Sequence, residues 1–189
     1  MSKIRNIAIN VSKKNVALRK IIRSFNSFIR KINYKISSFG VKVDEKTLLF
    51  CCFNGKSYSC SPKAIYEYMI NNDEFKDYKF IWAFLDEKKY KNLEKNKNTS
   101  VVKIGAKEYK KCLAKAKYWI FNYKIPDFLY PKKNQIFVQC WHGTPLKRLG
   151  CDLEHFDNVL NTIDGIKKRY KIEASKFTYF ISPSKFASE

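Results

Sequence analysis

Between residues 47 and 181, six short β-rich runs alternate with helix-forming stretches, and this alternation constrains the fold more than any other feature. The runs are 47–53, 79–84, 100–104, 118–122, 135–141 and 178–181. Helical signals fall between them. One covers 63–71, with Ser61 as N-cap and Pro62 at the first helical position; another, charged and weak, covers 86–96. Further signals cover 106–116 and 158–171, and a last one opens at Ser182-Pro183. Strands separated by helices are joined by crossovers, which build a parallel sheet from right-handed units. The expected class is α/β, with helices on both faces of the sheet. Ligands of such sheets sit beyond the carboxyl ends of the strands, which directs attention to the loops after the first, fourth, fifth and sixth runs.

Charge divides the chain in a different way. Lys and Arg number 38 against 17 Asp and Glu, a net charge of +21. Residues 1–43 hold eleven of the basic side chains and no acidic one, so this quarter carries +11 and the remaining 146 residues +10. Within it, Leu18, Ile22, Phe25, Ile29, Ile32 and Ile36 recur at three- and four-residue steps, while Lys20, Arg23, Ser27, Arg30 and Lys31 lie off that stripe. The pattern predicts a basic amphipathic helix of roughly five to six turns. Such a helix suits an anionic membrane surface, Phe25 and Phe28 entering the headgroup boundary; the plainer reading packs the stripe on the chain's own body. No run approaches the ~18 apolar residues of a spanning helix, and residues 1–11 lack a continuous apolar leader. The expected location is peripheral, on the cytoplasmic face of a membrane.

The six cysteines contain no Cys-x-x-Cys pair, and only two histidines exist to complete a metal set. Neither a disulfide framework nor a metal site is expected, and no cofactor motif is present. His155, beside Asp152 and Glu154, reads as a surface histidine. Gly55-Lys56-Ser57 echoes a phosphate loop, but Phe50 stands where its first glycine belongs.

The sharpest constellation is the run from Gln139 to Asp152, Gln-Cys-Trp-His-Gly-Thr-Pro-Leu-Lys-Arg-Leu-Gly-Cys-Asp. His142 falls where a strand ends, and histidine, which titrates near neutral pH, can take a proton from an attacking hydroxyl. Gly143 leaves room for a ligand against the backbone. Thr144 and Pro145 are suited to open a helix, with Lys147 and Arg148 in its first turn. Cations are disfavoured there, and a bound phosphate resolves the conflict. Asn54, Gly55 and Lys56 follow the first strand and form a second candidate substrate loop, set against a plain turn.

Phe53-Asn54-Gly55-Lys56-Ser57-Tyr58, the run from Pro62 to Tyr68, Tyr118-Trp119-Ile120-Phe121-Asn122, Trp141 to Lys147 and Ser182 to Ala187 together resemble, in order, the N-terminal catalytic region of the CDP-glycerol:poly(glycerophosphate) glycerophosphotransferases, the teichoic-acid polymerases. The resemblance covers about residues 44–189, and its Trp-His-Gly-Thr-Pro-Leu-Lys element is the most specific part. It implies a Rossmann-like N-terminal domain of a glycosyltransferase-B-type fold over residues 44–189, preceded by the basic segment 1–43, with the nucleotide-binding second domain absent. It further implies transfer of glycerol phosphate or ribitol phosphate from CDP-glycerol or CDP-ribitol to a lipid-linked polyol-phosphate acceptor, with His142 as catalytic base. Asn54, Gly55, Lys56, Gly143, Thr144, Lys147 and Arg148 would then contact substrate. A separate C-terminal half and a second copy of the chain stay open as partners. Nucleic acid is not expected as one, because the aromatics fall on core positions. The rival reading is a non-catalytic basic module for anionic lipid or polymer.

Overall fold

The structure, a computed structural model, describes residues 16–141, 143, 148–154, 162–182 and 184–188, with side chains left out at 16–20, 23, 186 and 187. Six strands form one sheet in the order β3-β2-β1-β4-β5-β6, every neighbouring pair parallel. They are β1 (Asp44–Cys51), β2 (Lys79–Phe84), β3 (Thr99–Lys103), β4 (Ala116–Phe121), β5 (Ile136–Gln139) and β6 (Tyr179–Phe180). The helices are α1 (Val16–Ser38), α2 (Cys60–Ile70), α3 (Lys107–Lys115), α4 (Ile163–Ala174) and a short α5 (Lys185–Ser188). This order turns back between β1 and β4, the switch point at which open α/β sheets leave a crevice beyond their strand ends.

Both faces of the sheet are covered, which is why its central strands read as unbroken apolar runs rather than alternating ones. Along β1, Leu49 and Cys51 point to one core with Ala83, Trp119, Phe121 and Phe137, closed by Tyr109 and Leu113 of α3. Leu48, Phe50 and Cys52 point to the other, with Phe80, Trp82 and Phe84, closed by Tyr66 and Met69 of α2. Phe50 and Trp82 stack with ring centroids 5.2 Å apart, and Trp82 and Phe84 at 5.6 Å. Gln135 seals the α3–β4 corner, its Nε2 donating to the carbonyls of Leu113 (2.7 Å) and Ala116 (2.6 Å).

Local chemistry adjusts several expected boundaries. Helix α2 begins at Cys60, two residues before Pro62, and its N-cap is Ser59 rather than Ser61. Ser59 shares its hydroxyl with Ser57 at 2.8 Å, and Cys60 carries a left-handed φ of 60°. The charged stretch after β2 is a 3₁₀ helix, Glu87–Lys95, with Leu93 its buried anchor. Helix α4 starts at Ile163, where the Thr162 hydroxyl accepts the Gly165 N–H at 3.1 Å.

Helix α1 packs on the body through its polar side. Tyr34 joins the core beneath α3, Arg30 lies over the Phe128 ring at 5.7 Å, and Asn33 lines a small cavity between helix and body. Of the stripe, Phe25, Ile29, Ile32 and Ile36 face away and are exposed, Phe25 at 61% and Ile36 at 70%, with Phe28 exposed beside them, whereas Ile22 is half-buried. Among the described residues, no helix is long and apolar enough to cross a membrane.

Candidate functional site

The carboxyl ends of β4, β5 and β6 open on a cavity of about 980 Å³ whose far wall is α4. The loop after β4 brings Asn122, Tyr123 and Lys124; β5 brings Gln139 and the loop after it Trp141; β6 brings Phe180. Helix α4 adds Arg169, Tyr170 and Glu173, and the segment before it adds Arg148, Gly150 and Asp152.

Asn122 is fully buried, and its carboxamide spans the switch point. Its Oδ1 accepts the Phe53 N–H at 2.8 Å and its Nδ2 reaches Cys52 Sγ at 3.2 Å, so the loops after β1 and β4 are tied together. Gln139 orients the next turn: its Nε2 donates to the Tyr123 carbonyl at 3.2 Å, and its Oε1 accepts the Trp141 N–H at 3.3 Å. Trp141 takes a φ of 31°, a conformation bulky residues avoid, and its ring meets that of Phe180 at 5.9 Å. Strain of this kind concentrates where the backbone must aim a side chain, and Trp141 directly precedes His142.

His142, Thr144 and Lys147 lie outside the described residues, as does His155. Gly143 is exposed with φ 83°; a Cβ there would meet nothing within 4 Å, so backbone conformation rather than crowding calls for glycine. Arg148 borders the cavity, but not within a helix. Leu149 is extended and a 3₁₀ turn, Gly150–Asp152, follows, with Gly150 (φ 63°) close against the Tyr170 ring. The helix expected to open at Thr144 and Pro145 lies outside the described residues. Arg148 pairs with Glu154, both side chains well exposed.

The loop after β1 divides. Asn54 (φ 58°) lines the small cavity under α1, not the large one. Gly55 is buried with φ 77°, and a Cβ on it would come within 2.9 Å of the Leu85 backbone nitrogen, so its glycine is required by packing. Lys56 is exposed, and its carbonyl accepts from the Tyr90 hydroxyl at 3.2 Å. Among the described residues, none of the three borders the large cavity. Asn122, Gln139, Arg169 and Tyr170 do border it; Asn122 and Gln139 stand inside the motif runs without a site role of their own, and Arg169 and Tyr170 lie outside every motif. For Asn122 and Gln139 the available signal was a carboxamide at the carboxyl end of a buried strand.

The electrostatics of the site are mixed. Glu173 is buried, but its Oε1 accepts the Ile125 N–H at 3.1 Å and its Oε2 faces Lys176 Nζ at 3.3 Å. Lys124 pairs with Asp127 at 3.3 Å. Burial pushes the Cys140 thiol, next to Trp141, up to about 12, so this cysteine is protonated and inert at neutral pH.

A family profile, CDP-Glycerol:Poly(glycerophosphate) glycerophosphotransferase, matches residues 32–189. The chain belongs to this family. The match begins inside α1 and takes in every strand of the sheet. Among curated members, the teichoic acid poly(glycerol phosphate) polymerase of Staphylococcus epidermidis is 36% identical over 180 residues, covering 90% of this chain and 24% of that protein. The polymerase of Bacillus spizizenii is 35% identical over 146 residues, covering 77% and 36%. The teichoic acid glycerol-phosphate transferase of Staphylococcus aureus is 34% identical over 152 residues, covering 78% and 37%. The chain thus spans 24% to 37% of these family members' lengths. Among solved structures, the wall teichoic acid polymerase TagF superposes with a TM-score of 0.71 at 31% identity, covering 88% of this chain and 43% of that one. A TagF variant soaked with CDPG superposes equally well, at 32% identity.

Proposed function

We propose that this chain is the acceptor-side half of a CDP-alditol phosphotransferase, acting in the synthesis of teichoic acid or a related polyol-phosphate polymer. The carrying observation is the strained Trp141 turn at the end of β5, which opens on a cavity bordered by Arg148, Arg169 and Lys124 in a member of the glycerophosphotransferase family. In this reading an acceptor hydroxyl oxygen attacks the alditol-side phosphorus of CDP-glycerol or CDP-ribitol. The phosphoanhydride bond breaks, CMP leaves with the bridging oxygen, and His142 takes the hydroxyl proton. Lys147 and Arg148, with Gly143 and Thr144, offset phosphate charge as it shifts. Asn54, Gly55 and Lys56 shape the loop beyond β1, outside the lining of the large cavity, and are proposed to meet substrate from that side. Residues 44–189 form the Rossmann-like domain of a glycosyltransferase-B-type pair, and the donor nucleotide is held by a second domain outside this chain.

The lipid-linked acceptor places the reaction at the cytoplasmic face of a membrane. The outward apolar stripe of α1 supports this: it is flanked by basic side chains and leaves the polar side to hold the body. The test is a chimera in which this chain replaces the matching segment of the Staphylococcus epidermidis polymerase. Acceptor-dependent CMP release is expected. A folded chimera that binds anionic vesicles yet releases no CMP would favour the non-catalytic basic module.

A further inference from the structure

The small cavity under α1, about 210 Å³, lies in the seam where that helix packs on α3. Arg30 and Asn33 border it from α1, Lys110 from α3 and Asn54 from the turn after β1, together with Tyr109 and Tyr123. Among the described residues, no carboxylate lines it, and neither Arg30 nor Lys110 forms an ion pair. The two helices are themselves basic: α1 holds six Lys and Arg and no acid, and α3 holds four Lys against Glu108 alone. Packing such helices side by side sets like charges against one another, a cost that an anion in the seam offsets. Arg30 has its guanidinium over the Phe128 ring at 5.7 Å. A ring on that face leaves the five N–H donors, which lie in the guanidinium plane, for oxygen acceptors.

We infer that this seam is a phosphate-binding site, gripped by Arg30 from α1 and Lys110 from α3 and completed by the Asn33 carboxamide. A guanidinium meets two phosphate oxygens at once, an ammonium supplies a point charge, and a carboxamide donates without adding charge. The cavity is smaller than the roughly 300–1,000 Å³ of drug-sized pockets and several times the ~30 Å³ share of one water, so it takes a phosphate or a small phosphate ester rather than a nucleotide. Two sources carry that group: free phosphate, or the headgroup of an anionic phospholipid, to which the same helix turns its outward Phe25 and Ile36. The site goes beyond the transferase reading and stands without it. Among the described residues, Tyr123 alone lines both cavities, and the cations of the two are different.

Inorganic phosphate and, separately, dicaproyl phosphatidylglycerol below its micellar concentration are titrated into the full chain by calorimetry at physiological salt, where diffuse surface attraction is largely screened. Saturable binding of at least one probe is expected, weakened about tenfold or more in Arg30→Gln and in Lys110→Gln. Lys111→Gln, at an exposed neighbour on α3 outside the lining, should bind as the parent does. Tighter binding of the lipid makes this a headgroup site, and phosphate binding as tight or tighter makes it a site for free phosphate; either supports the assignment. Thermal midpoints check folding. Because Arg30 also holds α1 to Phe128, Lys110→Gln decides the question where Arg30→Gln unfolds. No saturable binding of either probe, unchanged affinity in a folded Lys110→Gln, or an equal loss in Lys111→Gln, as diffuse charge predicts, would each overturn it.

Discussion

Asn122 at the end of β4 accepts the backbone N–H of Phe53 after β1 at 2.8 Å, a side-chain bond across the point where the sheet order reverses. Phe53 and Asn54 both take positive φ, so this contact helps hold a turn that its own residues disfavour. Asn122→Ala removes the acceptor and leaves the amide of Phe53 short of a partner beside the core. The expected loss is about 1–3 kcal/mol in urea unfolding. A loss below a few tenths would show that the loop after β1 is held by its own conformation.

Gln135 makes a second prediction of the same kind with a larger effect. Gln135→Met keeps the volume but strands the Ala116 carbonyl and the Lys132 N–H that Gln135 Oε1 accepts at 2.8 Å, while the Leu113 carbonyl keeps the Trp119 Nε1 donor at 3.0 Å. Loss of about 2–4 kcal/mol is expected by denaturant titration, since each buried group forfeits its desolvation cost.

The thiols set a pH dependence. Burial pushes Cys51 and Cys140 up to about 12, so the folded chain keeps protons there that an unfolded chain releases near pH 9. Stability from these groups is complete below about pH 9 and falls as pH rises toward 12. Urea midpoints between pH 8 and 11 should decline, and Cys51→Ala should flatten that decline whatever its effect at pH 8. In the same range iodoacetamide should label exposed Cys60 and Cys151 first.

For α1, replacing Phe25, Phe28 and Ile32 together by Ser should leave the thermal midpoint within a degree or two, because these side chains face away from the body. Cosedimentation with anionic phospholipid vesicles should fall at least tenfold, about 1.5–3 kcal/mol being available from each large apolar side chain fully buried. A drop in stability instead would return the stripe to a packing role.

The sheet was legible because its central strands are apolar on both faces and its helices are punctuated by Ser, Pro and Lys-rich ends. The strand over residues 79–84 falls where the residue pattern puts it, whereas the start of α2 does not, since Ser57, Ser59 and Cys52 share a local hydrogen-bond network that pattern reading cannot weigh. The direction of α1 was not legible either: periodicity marks a stripe, but only the contacts of Tyr34 and Arg30 reveal which side meets the body. At the site, the Trp-His-Gly-Thr-Pro run marked the end of β5 directly. Arg169 and Tyr170 stood in an ordinary charged helix, and only the fold brings α4 across from β5.

The most direct test of the central claim is His142→Ala in the chimeric polymerase, read as acceptor-dependent CMP release beside CDP-glycerol binding. Loss of the base predicts a fall of about 10²–10⁴ in turnover with donor binding unchanged. Turnover within a few-fold of the unsubstituted chimera would contradict it.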